Sequence, residues 1–295
     1  MIGFVGLGNM GQPMSARLAA VGFRVTAFDI DASARERAAG EPGVDVVSTL
    51  SAVAAGTRAV ILILPNSQVV REVVLDEGLL EALEPRTLLL DMSSSDASET
   101  RALAGRLTAH GVRFLDAPVS GGVTGAREGT LTIMVGGAEG DLADCRPALE
   151  ALGDEVIHVG DLGAGHALKA LNNLLSATSL LASSEALVTA IEFGLDPEVV
   201  LDVLNRSSGR SWSTELKLPK FVLTGSFDSG FALRLMLKDM RIATSLARKV
   251  GTPALLGETV AEYWAQAAGA LAEDADHTEI AKWVAQRRAT DEATT

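Results

Sequence analysis

Gly6-Leu7-Gly8-Asn9-Met10-Gly11 directly follows the apolar run Ile2–Val5 and opens a helix-periodic segment, and that order decides the fold. Between a strand and a helix, this spacing makes the turn that receives a dinucleotide pyrophosphate. Gly6 permits the tight turn, Gly8 lets the backbone approach the phosphates, and Gly11 lets the helix lie close to the strand, whose next helix turns its N-terminus to the negative charge. A glycine-rich turn without a ligand is the competing reading of the spacing alone; the strand before and the helix after select the binding one. Asp29 ends the second apolar run, 18 residues beyond Gly11. A carboxylate there accepts hydrogen bonds from the adenosine ribose hydroxyls and repels a 2′-phosphate, so NAD is the preferred cofactor and NADP the second candidate. Asp29 as a plain cap or loop residue is the alternative, and Arg35, one helical turn on, is the nearest cation.

Outward from this turn, short β-branched apolar runs alternate with helical patterns. Ile2–Val5, Arg24–Phe28, Ala59–Leu64, Leu88–Asp91, Val112–Asp116, Leu131–Val135 and Glu155–Val159 read as strands. Such alternation specifies an α/β, Rossmann-like, mostly parallel sheet with helices on both faces. After Gly160, Gly163 and Gly165 the pattern changes. One long apolar periodicity runs from His166 to about Phe193, followed by helical segments near Pro197–Leu204, Glu215–Leu223, Leu233–Val250 and Leu255–Ala270. The expected organisation is a dinucleotide-binding domain over 1–162 and an all-helical domain over 163–295, leaving a cleft for substrate, with a frayed polar tail from Arg288.

Composition narrows the function. The chain has 295 residues, 47% of them hydrophobic and 21% charged, as expected of folded domains. Its formal net charge of −13 repels nucleic acid and anionic membranes, so an anionic substrate must be drawn in by local donors. A single cysteine, Cys145, excludes an intrachain disulfide and a cysteine-based metal cluster, and favours a reducing cytoplasm. No metal site is expected. Ile2–Leu7 lacks the basic leader of a signal peptide, and Lys169, Asn172, Asn173 and Glu185 interrupt the apolar stretch Leu168–Ala190, which argues against a membrane span.

The candidate chemistry sits in loops at strand ends and on the long helix. Leu64-Pro65-Asn66 and Ser93-Ser94-Ser95 follow strands at the carboxyl ends, where α/β sheets bind ligands, so Leu64, Pro65 and Ser94 are candidate cofactor contacts. A plain turn at Pro65-Asn66 and a helix cap at Ser95 or Asp96 are equally available readings. Asp116-Ala117-Pro118-Val119-Ser120-Gly121-Gly122 offers backbone N–H groups and the Ser120 hydroxyl as a nest for a substrate carboxylate, with a flexible loop as the alternative. Lys169 and Asn173 are four residues apart and share a helix face. Ala167, Leu168, Ala170, Leu171, Leu174 and Leu175 surround the lysine with apolar side chains, which places it at a buried or cleft-lining position. A lysine so placed can take a hydroxyl proton as hydride leaves the same carbon, while Asn173 orients that oxygen.

Four ordered blocks, GFVGLGNMG at Gly3–Gly11, DAPVSGGVTGAREGTL at Asp116–Leu131, GAGHALKALNN at Gly163–Asn173 and FALRLMLKDM at Phe231–Met240, resemble the β-hydroxyacid dehydrogenase family. The resemblance runs from Ile2 to about Trp283. It implies an oxidoreductase of small 3-hydroxy acids such as 3-hydroxyisobutyrate, or of the matching semialdehydes, with catalytic Lys169 supported by Asn173. It further implies substrate carboxylate at Ser120, Gly121 and Gly122, and Lys238 near both nicotinamide and substrate. Without the resemblance, Lys238-Asp239 reads as an ordinary surface pair. The family's usual threonine is Ser94 here, and its proline is missing near Ala97. In Ser207–Trp212, where relatives place pocket residues, Arg210 either binds a second anionic group or caps a helix. An imine reductase, which usually lacks this lysine, and a non-catalytic NAD-binding module are the competing functions. The expected partners are a small hydroxy acid and further copies of the chain, as dimer or tetramer; Tyr263 and Trp264 pack either such an interface or, more simply, the core.

Overall fold

The structure is a computed structural model and describes residues 1–291, with side chains through residue 287. It divides into two compact units, Met1–Lys169 and from Ala170 onward.

In the first unit, among the described residues, nine strands form one sheet: β1 (Ile2–Val5), β2 (Val25–Phe28), β3 (Val44–Val46), β4 (Ala59–Leu62), β5 (Leu88–Asp91), β6 (Arg113–Asp116), β7 (Val119–Ser120), β8 (Thr132–Gly136) and β9 (Glu155–Gly160). The order β3-β2-β1-β4-β5-β6 is parallel throughout, the arrangement of a doubly wound dinucleotide-binding sheet. β8 joins β6 and β7 antiparallel and β9 parallel. Helices α1 (Gly11–Ala20), α2 (Ala32–Ala38), α3 (Leu50–Ala54), α4 (Ser67–Arg71), α5 (Leu79–Ala82), α6 (Ala97–Ala109), α7 (Gly122–Glu128) and α8 (Glu139–Leu152) connect the strands. Alternation along the strands sends neighbours to opposite faces. Phe4, Ile61, Leu88 and Leu90 join one core, whereas Val5, Val60, Leu62 and Leu89 join the other.

The expected strands all form, Ile2–Val5 and Leu88–Asp91 at their expected ends and the others with ends shifted by one or two residues. β4 stops at Leu62 because the Leu64 N–H leaves the ladder and donates to the Ser93 hydroxyl at 2.9 Å. Two strands were not expected. β3 is a three-residue edge, and β7 lies inside the segment that reads as a glycine-rich loop, where Val119 and Ser120 pair with Ile133 and Thr132.

The second unit carries the rest of α9 (Ala164–Glu192), then α10 (Pro197–Asn205), a π-helical segment Ser213–Val222, α11 (Leu233–Lys249), α12 (Leu255–Ala270), a short 3₁₀ turn His277–Glu279 and α13 (Ile280–Asp291). Among the described residues its β-pairing is one isolated bridge between Ala232 and Asp276. Pro197 occupies the first helical position and Asp196 caps α10 by accepting from the Glu198 N–H at 2.9 Å. The segment near 215–223 is wider than an α-helix, as in the Leu223 N–H to Leu218 carbonyl bond of 2.9 Å, and holds Pro219 within it. α13 runs into the tail expected to fray, whose remainder lies outside the described residues. By length and composition α9 is apolar enough to cross a bilayer, but Ala177, Leu180, Leu181 and Leu187 place it in the core of this unit beside Met236, Met240 and Trp264. Trp264 is fully buried, so core packing is its role; Tyr263 is exposed and meets Trp283 with the rings tilted by 53° and their centroids 6.4 Å apart.

Candidate active site

The glycine-rich turn is built from three different steric demands. Gly6 has φ +100°, and a Cβ there would collide with the Ile63 carbonyl; a Cβ on Gly11 would collide with the Gly6 carbonyl. Around Gly8, by contrast, a Cβ would meet nothing within 4 Å, and Gly8 and Asn9 are exposed while Leu7 is buried. The turn is closed behind and open in front, the form a pyrophosphate requires. Met10 precedes α1 without a side-chain cap, so that end of the helix is not closed off by its own sequence.

Asp29 ties the turn to the second strand. Its Oδ2 accepts from the Leu7 N–H at 2.6 Å and its Oδ1 from the Asp31 N–H at 2.8 Å. Arg35 folds back, donating Nη1 to the Asp29 and Ile30 carbonyls at 2.6 and 3.0 Å, with its guanidinium 5.8 Å above the Phe28 ring. The nearest cation is therefore held by backbone beside Asp29.

At the next strand ends, Asn66 caps α4, accepting from the Val69 N–H at 3.0 Å, and Asp96 caps α6, accepting from the Ser98 N–H at 2.7 Å. Leu64 is half-buried and Pro65 exposed. Of the three serines, Ser93 and Ser95 are buried; the Ser95 hydroxyl and the Ser93 N–H both donate to Asp91. Ser94 stands between them, half-buried. The Ser120 segment ends on two residues that need glycine: Gly121 at φ +133° and Gly122 at φ +66°. A Cβ on Gly122 would meet nothing within 4 Å, so this turn is also open on one side.

Sequence reading missed the group that anchors α9. Asp91 and Asp116 are register partners on β5 and β6, and both are buried. Asp116 accepts from the Gly163 N–H at 2.6 Å and from the His166 N–H at 2.8 Å, so it closes the start of the helix that bears Lys169. Buried His166 shares its Nδ1 with the Thr100 hydroxyl at 2.8 Å, and its Nε2 lies 3.7 Å from Asp91. The available signal was the pair of aspartates ending adjacent strands.

On α9, Lys169 and Asn173 are 9% and 5% exposed. The Asn173 Nδ2 donates to Asp239 Oδ2 at 2.6 Å, and its Oδ1 accepts from Asn172 Nδ2 at 3.2 Å. Asp239 is 1% exposed, and its Oδ1 lies 3.1 Å from the Lys238 Nζ. The surface-pair alternative for Lys238-Asp239 is thereby corrected: the carboxylate is buried because α11 turns it to Asn173. Arg210 is 64% exposed and pairs with Glu215 at 2.8 Å.

A dinucleotide-type sheet with an open glycine turn, and a helix that buries a lysine and an oriented asparagine, define a nicotinamide-dependent dehydrogenase. Residues 1–160 match the family model described as the NAD binding domain of 6-phosphogluconate dehydrogenase, and residues 163–284 that described as NAD-binding of NADP-dependent 3-hydroxyisobutyrate dehydrogenase. The 2-(hydroxymethyl)glutarate dehydrogenase of Eubacterium barkeri is 40% identical over 253 residues, covering 85% of this chain and 84% of its own. The solved 3-hydroxyisobutyrate dehydrogenase of Mycobacterium tuberculosis, with L-serine, is 37% identical with TM-score 0.88, covering 96% of this chain and 98% of its own. Psf3, solved with NADP+ and 2-OPP, is 26% identical with TM-score 0.87, covering 96% and 100%. The chain belongs to the β-hydroxyacid dehydrogenase family and is an NAD(P)-dependent hydroxyacid dehydrogenase.

Proposed function

We propose that this enzyme oxidises the hydroxyl carbon of small 3-hydroxy acids of the 3-hydroxyisobutyrate type, or reduces the matching semialdehydes, with NAD preferred over NADP. The observation that carries the reading is Asn173, buried, aligned by Asp239 at 2.6 Å and on the same helix face as buried Lys169. Bound nicotinamide supplies the hydride acceptor. Gly6, Leu7, Gly8, Asn9, Met10 and Gly11 hold the pyrophosphate, Asp29 the ribose, and Leu64, Pro65, Ser94 and Lys238 the nicotinamide half. Ser120, Gly121 and Gly122 donate to the substrate carboxylate, with Lys238 adding positive charge against the chain's negative field.

The Asp239 carboxylate can only accept, so it fixes which end of the Asn173 amide faces it. One N–H is committed to Asp239 and the second is left to donate to the reacting oxygen. That donor favours the alkoxide character that develops as Lys169 takes the hydroxyl proton, and in reverse Lys169 returns the proton to the carbonyl oxygen. We place the enzyme in the cytoplasm as a homo-oligomer, a reading supported by its one cysteine, buried, and by exposed apolar residues such as Leu171 and Leu175 on α9.

The test is NADH absorbance with a panel of 3-hydroxy acids, in wild type and Lys169→Ala. The variant should bind NADH and lose about 10²–10⁴-fold in kcat. Lys169→Arg should not restore it, because guanidinium does not deprotonate at working pH. Retention of a tenth of wild-type kcat by Lys169→Ala, with a deuteride isotope effect showing chemistry to limit the rate, would remove Lys169 from the acid/base role.

A further inference from the structure

The proposed chemistry leaves one buried titratable side chain without a role. His166 is 1% exposed and stands three residues before Lys169 on α9, so the two share a helix face. An imidazole removed from water needs partners for both ring nitrogens. Nδ1 has the Thr100 hydroxyl at 2.8 Å. Nε2 is buried without a hydrogen-bond partner and lies 3.7 Å from the Asp91 Oδ2, while the Asp116 Oδ2 is 3.8 Å from Nδ1. The ring therefore stands between the two carboxylates that end β5 and β6.

These carboxylates serve different segments. Both oxygens of Asp116 bind the first turn of α9, through the Gly163 and His166 N–H groups. That turn is pressed against β8: a Cβ on Gly165 would collide with the Met134 carbonyl, and one on Gly136 with Asp116. Asp91 serves the loops instead. It accepts from the Ser93 N–H at 2.9 Å and the Ser95 hydroxyl at 2.8 Å, the two neighbours of Ser94, and the Ser93 hydroxyl accepts from the Leu64 N–H at 2.9 Å. A polar chain thus runs from Leu64 through Ser93 to Asp91, and His166 continues it to the helix of Lys169.

We infer that His166, with its ring hydrogen on Nε2 toward Asp91, is a positioning residue that sets Lys169 against the nicotinamide loops, an assignment that rests on the roles proposed above for Lys169, Leu64 and Ser94. Hydride and proton leave one carbinol group, so their two acceptors must keep a fixed separation, and a displacement of about 1 Å in such an arrangement costs about 100-fold. The Thr100 hydroxyl has one hydrogen and two acceptors in reach, Nδ1 at 2.8 Å and the Asp96 carbonyl at 3.1 Å. Given to the nearer, it leaves the ring hydrogen on Nε2, where a carboxylate faces it.

The test measures kcat at saturating NAD and 3-hydroxyisobutyrate in wild type, His166→Gln, His166→Asn and Asp91→Asn, with NADH affinity and urea midpoints alongside. Glutamine can set an amide N–H where Nε2 stands, whereas asparagine reaches only the place of Nδ1. His166→Asn should lose about 10- to 100-fold in kcat and show a deuteride isotope effect, and His166→Gln should stay within about threefold of wild type. A histidine that only fills space would make the two amides equivalent, and equal kcat values overturn the assignment. In Asp91→Asn/His166→Asn the loss should stay within about threefold of that in Asp91→Asn alone, since the pair acts as one unit; multiplied losses refute the contact. Should His166→Asn not fold, Asp91→Asn decides: a loss of about tenfold or more supports the contact, and a kcat within about threefold of wild type refutes it. If Lys169→Ala kept its activity, the failed reading would be the acid/base role. The lysine itself then reports on positioning: its Cε resonance in 13C-lysine-labelled protein, the one missing from Lys169→Arg, should shift in His166→Asn and not in His166→Gln. A shift in both variants or in neither overturns the role of His166.

Discussion

Asp239→Asn changes little in shape and removes one charge from a carboxylate that touches two site residues, Asn173 at 2.6 Å and Lys238 at 3.1 Å. A hydrogen bond to a charged group contributes about 1.5–3 kcal/mol, which corresponds to about 10- to 150-fold in rate if the alignment is used in the transition state. Breaking a fully buried ion pair costs about 3–5 kcal/mol of stability, but Lys238 is 24% exposed on its side chain and water offsets part of that loss. The expected outcome is therefore a folded protein, less stable by about 1–3 kcal/mol in urea, with kcat down about 10- to 100-fold. A change in NADH affinity reads the contact with Lys238, whereas the change in kcat reads Asn173. A double-mutant cycle with Asn173→Ala separates positioning from bulk stability: two residues acting as one unit lose far less together than the product of their single losses. Additive losses, or a kcat for Asp239→Asn within about twofold of wild type while Asn173→Ala loses about 100-fold, would refute the positioning role.

Asp29→Ser should lower the NAD-over-NADP ratio of kcat/KM at least tenfold, as it removes the repulsion of a 2′-phosphate while Arg35 stays beside the site; a wild-type preference for NADP would sink the assignment. The Asp276–His277 pair predicts a stability loss in acid. His277 sits below its ordinary value because it is buried, so between that value, about 6.5, and its native one the unfolded chain binds a proton that the native state refuses, and stability drops as pH falls. Burial alone would raise Asp276, but hydrogen bonds from His277 and Thr278 outweigh it and hold the carboxyl well below the carboxylate range, so its stabilisation is present above about pH 4 and lost below it. Urea midpoints from pH 7 to 5 should fall in wild type and flatten in His277→Gln; a wild-type midpoint constant over that range contradicts the assignment.

What the sequence disclosed depended on how local each requirement was. Gly6, Gly8 and Gly11 are each demanded by contacts within one strand–turn–helix unit, so their spacing carried the sheet type and the cofactor class together. β5 appeared at its true ends because Leu88–Asp91 is buried on both faces. β3 escaped because three residues at a sheet edge show too little alternation to register, and β7 because its pairing partner lies a dozen residues on, across a glycine-rich turn. Asp116 and Asp239 were invisible as functional groups for the same reason. Each is written into the sequence beside ordinary strand or helix residues, and only the fold brings Gly163 and His166 to the one and Asn173 to the other.

The burial of Lys169 was expected for a reason that the structure reverses. Apolar neighbours all around the helix argued for a lysine sunk among leucines. Instead Lys169 and Asn173 are buried while Leu168, Leu171 and Leu175 are 42%, 41% and 71% exposed. The polar face turns inward because Asp239 is there to satisfy it, and burying an amide without such a partner costs more than exposing a leucine. A helix apolar on its outer face as well then needs a second cover, which is the physical ground for expecting this enzyme to assemble with copies of itself. The periodicity of α9 therefore encodes two surfaces at once, and sequence alone shows their sum: a 29-residue, largely apolar helix in which Lys169 and Asn173, not the many leucines, mark the side proposed for the chemistry.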